Sequence, residues 1–231
     1  MKIESKVLEE FLKIVRMNEI NDCLMNFNDD GLSISAASSM SVNFVLGTIK
    51  KDKFKDYTAL GTIAVDNLYK LTTIIKKFKS EIDISIKGNV MIISHEKKSL
   101  EFELLDENSI APFVFEKEIP FDTILKISTD ELRSFFDDIS VNTDDSIMVE
   151  TYDGGFKLYN TGRYKFTYNI KSEETKSGVK VKFKEPFYNA LSTLTGDDIT
   201  LQVKSDFPTT AFYKTKTADY KFMIAPRVEK K

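Results

Sequence analysis

The chain has 231 residues, of which 42% are hydrophobic and 30% charged, a composition typical of globular proteins and not of disordered ones. Its single cysteine, Cys23, excludes an internal disulfide and a zinc site built from several thiolates, and its single histidine, His95, excludes a metal site of several histidines. The 33 basic and 36 acidic side chains give a net charge of -3, which argues against a uniformly basic nucleic-acid-binding protein but leaves open a basic face on an acidic body.

The start of the chain is predicted to form a short strand, a helix and a hairpin. Ile3 begins the strand. The helix is indicated by apolar residues at helical spacing, namely Leu8, Phe11, Leu12 and Val15. Residues 28–31 form the hairpin turn between two alternating runs, with Gly31 able to adopt a positive φ.

A further strand and a second helix are predicted next. The strand is indicated by Val42, Phe44 and Leu46, which alternate with other residues. The helix spans 67–79, with Asp66 as its N-cap and one apolar stripe. The first half then closes with a hairpin around 87–89 and an alternating strand over 100–104.

The second half is predicted to repeat this order. Ser128, Thr129 and Asp130 begin a helix that ends at Ile139. A second helix spans 186–194 and begins with a proline, whose missing N–H costs little at an early helical position. Strands are predicted at 147–150, 156–159, 164–170, 199–201, 211–213 and 220–224.

A single shift of 124 residues relates the two halves, since it carries Leu8 onto Leu132. The same shift carries Phe11 onto Phe135, Leu12 onto Phe136, Val15 onto Ile139, Met25 onto Val149 and Gly31 onto Gly155. The alternative is that one helix–strand–turn–strand unit resembles any other. We predict a duplicated α+β fold with two strand-rich domains of two helices each, 1–106 and 122–231, joined by a connecting loop at 107–121.

Basic side chains occur on the helix faces opposite the apolar stripes. Such residues are often only solvated, and the functional alternative is a surface that follows phosphates without reading bases. The second half fits that alternative less well, because Arg133 is flanked by aspartates. The candidate DNA-binding residues are Lys6, Lys13, Arg16, Lys70, Lys76, Lys77, Arg133 and Lys184.

The sequence indicates no catalytic centre. It contains no phosphate-binding glycine loop, GxSxG or HExxH motif. Turn and surface chemistry account for four aspartate pairs, at 29–30, 137–138, 144–145 and 197–198. His95 is predicted at a hairpin edge and Cys23 in a buried strand. We therefore expect a protein that is not an enzyme and needs no metal or cofactor. A metal-dependent nucleic-acid enzyme that uses the aspartate pairs is a remote alternative.

Three short segments carry a family resemblance. Residues 222–229, FMIAPRVE, combine an aromatic-apolar run, Ala-Pro, a basic residue and an apolar-acidic pair. Residues 199–208, ITLQVKSDFP, and residues 103–106, ELLD, are the other two. These segments resemble, respectively, the closing strand and tail, the strand before the last hairpin, and the end of the first domain in the sliding clamps of DNA replication. The chain is most similar to the proliferating cell nuclear antigen (PCNA) group, of archaeal or viral type.

The resemblance implies a DNA clamp: three two-domain chains close into a ring with pseudo-sixfold symmetry, helices line the hole, and sheets lie outside. The basic residues of the helices would then face duplex DNA. The sparse basic character of the second-half helices departs from the family pattern and puts a symmetric DNA path in doubt.

The resemblance also implies a partner site between the connecting loop and the C-terminal strand, where a short peptide inserts apolar side chains. Carried over by position, the residues of this site are Met40, Val42, Ile110, Val114, Phe115, Pro208, Met223, Ala225 and Pro226. For Phe113 and Phe115, aromatic residues of the connecting loop, a role in attaching the linker to the sheet is an equal alternative.

The expected function is that of a sliding clamp, or processivity factor, which tethers a DNA polymerase, a clamp loader, a ligase or a nuclease to duplex DNA. The alternatives are a non-encircling adaptor and one subunit of a hetero-oligomeric clamp. The chain contains no apolar run near the roughly 20 residues that span a bilayer and no signal-peptide core, so we expect a soluble protein of the cytoplasm, associated with the nucleoid in an archaeon or with the nucleus in a eukaryote.

Overall fold

The computed structural model describes residues 1–17, 20–111, 118–141 and 146–227. The chain divides into two compact units. The first contains Met1–Val114 together with Thr215–Tyr220, and the second contains Phe115–Lys214 together with Lys221–Lys231. In the described part of the chain, no helix is long and apolar enough to span a membrane.

The first unit contains eight complete strands and two α-helices in its described residues. In chain order these are β1 (Lys2–Glu4), α1 (Ser5–Arg16), β2 (Cys23–Asn28), β3 (Gly31–Ala37), β4 (Asn43–Lys50), β5 (Gly61–Val65), α2 (Leu68–Ile75), β6 (Glu81–Lys87), β7 (Val90–His95) and β8 (Lys98–Glu103). Hydrogen bonds join the strands in the orders β1-β6-β7-β8 and β5-β2-β3-β4, and all of these pairs are antiparallel.

The remaining elements follow the same order along the chain. They are β9 (Thr123–Ser128), α3 (Thr129–Ile139), β10 (Ile147–Tyr152), β11 (Gly155–Asn160), β12 (Thr167–Lys171), β13 (Lys180–Phe183), α4 (Glu185–Leu191), β14 (Asp198–Val203), β15 (Thr209–Lys214) and β16 (Ala218–Ile224). In the second unit the strand orders are β12-β11-β10-β13 and β9-β14-β15, again antiparallel. The division between the units falls within β16.

Both units therefore repeat one pattern of elements, as the shift of 124 residues predicts. The helix positions that this shift relates, Leu8 with Leu132 and Phe11 with Phe135, are buried in their own units. The hairpin β2–β3 corresponds to β10–β11, each with a glycine at the start of its second strand. The α+β class and the duplicated fold are confirmed.

Close packing in the first unit depends on a glycine. The apolar face of α1 is buried, and it contacts β4, where Gly47 lies under the ring of Phe11. A Cβ atom at Gly47 would lie 2.8 Å from a ring carbon of Phe11 and 3.1 Å from Val15 Cγ2. The absence of a side chain at this position thus allows α1 to lie against the strand.

Helix α3 begins as the sequence predicts. Ser128 is its N-cap, and the Ser128 hydroxyl accepts a hydrogen bond from the Glu131 amide at 3.2 Å. The Glu131 carboxylate in turn accepts a bond from the Ser128 amide at 3.4 Å, which completes a capping box. Two N-terminal amides of the helix thus obtain acceptors.

The structure corrects three details of the prediction. Helix α2 begins after Asn67, whose side chain accepts from the Lys70 amide, and not after Asp66. It ends at Ile75, so residues 76–79 are not helical, and α4 likewise ends at Leu191. In β4 the buried face contains Val45 and Ile49, while Phe44 and Leu46 are only half-buried.

Candidate nucleic-acid interface

The exposed face of α1 carries two lysines that are paired within the helix. The Lys6 ammonium lies 3.8 Å from the Glu10 carboxylate, and the Lys13 ammonium lies 2.7 Å from the Glu9 carboxylate. Both pairs have the spacing i, i+4, which places the two side chains one above the other on the helix surface. The positive charge that α1 presents is therefore partly balanced by its own glutamates.

Arg16 ends the same helix in a different environment. Its guanidinium carbon lies 4.9 Å from the centre of the Tyr69 ring, which belongs to α2. A cation at a helix C-terminus is also favoured by the unpaired carbonyls of the last turn. Arg16 therefore has a defined orientation on this face.

Three further lysines surround α2. Lys70 lies in its first turn, Lys76 is its C-cap residue, and Lys77 follows the helix. All three side chains are exposed, and none is paired with a carboxylate among the residues that the structure describes. The prediction that Lys76 and Lys77 lie on a helical face was wrong, because α2 ends before them.

The chain just after α2 is fixed by a lysine from β8. The Lys98 ammonium donates to the Lys77 carbonyl at 3.0 Å and lies 4.2 Å from the centre of the Phe78 ring. Phe78 is buried although it is outside the helix. Lys76 and Lys77 thus lie in a turn with a fixed backbone. The surface at this end of the first unit therefore remains cationic although the helix has ended.

The corresponding helices of the second unit have a different charge. Arg133 on α3 donates to the Leu194 carbonyl at 3.1 Å and lies 3.7 Å from Asp130, so its charge is largely engaged. Asp138 accepts a hydrogen bond from the Tyr168 hydroxyl at 2.7 Å, and this bond raises the pKa of Tyr168. Lys184 is exposed just before α4. The exposed side of α3 is predominantly acidic.

The residues predicted for a peptide site in the first unit lie in two loops. Met40 is 73% exposed and Val42 half-buried, in the loop between β3 and β4. The Ser38 hydroxyl accepts from the amides of Val42 and Asn43 at 3.3 and 3.1 Å, which fixes the loop. Ile110 is half-buried and follows a single 3₁₀ turn, Glu107–Ser109. Val114 and Phe115 lie outside the described residues.

The other predicted peptide-site residues belong to the second unit. Pro208, Met223, Ala225 and Pro226 are all half-buried. The chain after Pro226 is held to β13, because the Arg227 amide donates to the Lys182 carbonyl at 2.8 Å. Phe207, next to Pro208 and 39% exposed, was not among the predicted site residues, although it is the apolar half of the apolar–proline pair in the segment ITLQVKSDFP.

The two side chains that could serve in catalysis, Cys23 and His95, lie in contact with the rest of the fold. Cys23 is fully buried in β2, and burial raises the pKa of its thiol far above the usual range. His95 ends β7, and its Nε2 lies 2.9 Å from the Ser80 hydroxyl. No cluster of three or more metal-ligating side chains occurs among the described residues.

Comparison with solved structures defines the class of fold as that of the DNA sliding clamps. The A. fulgidus PCNA bound to the C-terminal region of FEN-1 has a TM-score of 0.84 and 16% identity over 100% of this chain and 99% of that chain. The Entamoeba histolytica PCNA has a TM-score of 0.80 and 20% identity, with 98% of each chain covered. The Sulfolobus tokodaii PCNA2–PCNA3 complex has a TM-score of 0.78 and 20% identity, over 99% of this chain and 100% of that chain.

No protein-family model matches the sequence, and the search of curated proteins found no match. At these identities the structural likeness concerns the fold. The chain has the PCNA fold over its whole length. The resemblance indicated by the three short motifs is thereby confirmed for the fold.

Proposed function

We propose that this protein is a DNA sliding clamp, a non-enzymatic processivity factor that encircles duplex DNA and tethers replication and repair enzymes to it. The observation that carries the proposal is the match of the entire chain to PCNA structures, at a TM-score of 0.84 over 100% of its length. From this function we propose that the protein is located in the part of the cell that contains the DNA.

The charge of the first unit's helices supports the proposal. Exposed basic residues on and after α2 offer phosphate contacts that carry no sequence information, as a protein that must move along DNA requires. The basic set comprises Arg16, Lys70, Lys76 and Lys77, with Lys6 and Lys13 as weaker contributors because glutamates pair with them.

Partners are proposed by analogy with the solved clamps. One of the similar PCNA structures binds the C-terminal region of FEN-1, and another is a complex of two different PCNA chains. We propose that short apolar peptide motifs of a polymerase, clamp loader, ligase or nuclease bind this chain, and that Met40, Val42, Ile110, Pro208, Met223, Ala225 and Pro226 contribute to their binding.

Two measurements test the proposal: the mass of the protein in solution and its retention on circular DNA. Light scattering over a range of concentrations should give a mass near three times that of the 26.4 kDa chain, the value for a self-closing trimer. The protein should remain on nicked circular DNA during gel filtration and should be released when that DNA is linearised. Retention that survives linearisation would contradict encirclement.

A subunit of a hetero-oligomeric clamp is the second candidate. The acidic side of α3 favours it, since a ring made only of this chain would repeat that face in every subunit. A persistent monomer that forms a ring only with a second clamp chain would support this candidate. A monomer that binds apolar peptides but never stays on circular DNA would instead support a non-encircling adaptor.

A further inference from the structure

Arg16 and Tyr69 form a cation–π pair on the helix surface of the first unit. The guanidinium carbon of Arg16 is 4.9 Å from the ring centre, within the range of a cation–π contact. Tyr69 is 61% exposed, so burial of its ring does not account for its position. Nε of Arg16 is buried and has no hydrogen-bond partner within the described part of the chain. The side chain as a whole is only half-buried, which leaves its two Nη groups as the donors for a ligand.

The other basic side chains of α1 and α2 are held differently. Lys6 and Lys13 are paired with glutamates, and Lys70 has no partner that fixes its ammonium among the described residues. An arginine fork binds a phosphate through two parallel N–H groups, whereas a lysine acts as a point charge. Arg16 alone in this set combines a planar fork with a fixed orientation.

We propose that Tyr69 is a positioning residue, which holds the Arg16 guanidinium as a preformed fork for a DNA phosphate. The guanidinium lies over the ring of Tyr69, a contact that uses none of its N–H groups as donors to an oxygen acceptor, so a phosphate can still bind them. Fixing the fork before binding reduces the side-chain freedom that is given up when the phosphate arrives. This inference rests on the proposed clamp function, because it needs duplex DNA beside these helices.

Four variants separate positioning from simple charge. Tyr69→Phe keeps an aromatic face, and Tyr69→Leu removes it while leaving an apolar side chain. Arg16→Lys keeps the charge without the planar fork, and Arg16→Gln removes the charge. Tyr188→Leu is the matched control: Tyr188 is an exposed tyrosine on α4 whose ring packs against Phe136 at 5.0 Å, with no cation stacked on it in the described residues.

The probe is a fluorescent duplex of random sequence, titrated at several salt concentrations. Arg16→Gln should lower the slope of log K against log salt by about 0.9 for each chain that no longer binds that phosphate. Tyr69→Leu should weaken association about two- to fivefold, which corresponds to an exposed cation–π contact. Tyr69→Phe and Tyr188→Leu should match the unmodified protein.

A second readout distinguishes positioning from general stability. The buried Nε–H of Arg16 should give a slowly exchanging NMR signal that shifts on addition of the duplex, and Tyr69→Leu should abolish its protection. In the Arg16→Gln background, Tyr69→Leu should cause no further weakening of association. Additive effects, or a Tyr69→Leu variant that binds like the unmodified protein, would overturn the inference and leave the clamp proposal standing. Failure of the unmodified protein to stay on nicked circular DNA would overturn both.

Discussion

Gly47 in β4 lies beneath the ring of Phe11 in α1, so closely that a Cβ atom there would be 2.8 Å from the ring. Phe11 is fully buried and Val15 adjoins it, so neither side chain can move aside without disturbing the core. The contact fixes the distance between the helix and the strand.

Gly47→Ala should therefore destabilise the protein. Overpacking of a core typically costs about 1–3 kcal/mol, which exceeds the gain of about 0.4–1 kcal/mol from a less flexible unfolded chain. Urea unfolding measures the difference. In a Phe11→Leu background the cost of Gly47→Ala should shrink, and an equal cost in both backgrounds would show that the ring is not its cause.

The capping box of α3 gives a second stability prediction. Ser128→Ala removes the acceptor for the Glu131 amide and should lower the free energy of unfolding by about 1 kcal/mol. Ser134→Ala on the exposed side of the same helix is the matched control, and its effect should be within about 0.5 kcal/mol of zero. If both variants behave alike, the cap does not contribute.

Cys23 should report on unfolding. Its thiol is fully buried and burial raises its pKa, so the reactive thiolate is scarce at neutral pH and inaccessible in the native state. A thiol reagent should label the native protein slowly, and the rate should rise with urea in step with the unfolding of the chain. Cys23→Ser with Ser134→Cys should react at once, since that site is exposed. Rapid labelling of native Cys23 would mean that β2 opens locally.

The lysines around α2 and the lysines of α1 should differ in how much they contribute to the association with duplex DNA. Replacing Lys70, Lys76 and Lys77 by glutamine should reduce the salt dependence of duplex association by about 0.9 for each phosphate that the protein no longer neutralises. Replacing Lys6 and Lys13 should have a smaller effect per lysine, because Glu10 and Glu9 already balance them. Equal effects per lysine in the two sets would contradict the role given to the i, i+4 pairs.

The proposed peptide site can be tested through Met223, one of its residues in the second unit. Met223→Glu places a charge at a half-buried apolar position and should weaken binding of a FEN-1 C-terminal peptide at least tenfold, since an unpaired charge there costs about 2 kcal/mol or more. Lys216→Glu, at an exposed position, is the control. Calorimetry measures the affinity, and unchanged thermal unfolding excludes misfolding. Equal affinities would remove Met223 from the site.

The sequence predicted the repeated elements where strong local signals coincide. In α3, the Ser128 cap, the apolar stripe from Leu132 to Ile139 and the acidic first turn all agree, and the structure has the helix at the predicted bounds. The hairpins around Gly31 and Gly88 were found in the same way, because a positive φ at a turn favours glycine.

Other elements depend on tertiary contacts that local patterns do not reveal. Strands β5, β9 and β13 were not predicted, since each is short and gains its stability by pairing with a neighbour already in the sheet. The end of α2 was placed too late because Phe78 continues the apolar stripe, but this residue is buried from a turn, next to Lys98. The Arg16–Tyr69 pair joins two helices and leaves no sequence signal.

The glutamates of α1 act as tethered counterions. A phosphate that approaches Lys13 must displace Glu9, which is covalently attached to the same helix, instead of a mobile ion that gains entropy on release. Each such contact is weak and easily reversed. In the proposed clamp, Lys6 and Lys13 would therefore resist sliding little, whereas Arg16 at the end of α1 and the exposed lysines around α2 would hold the duplex more firmly.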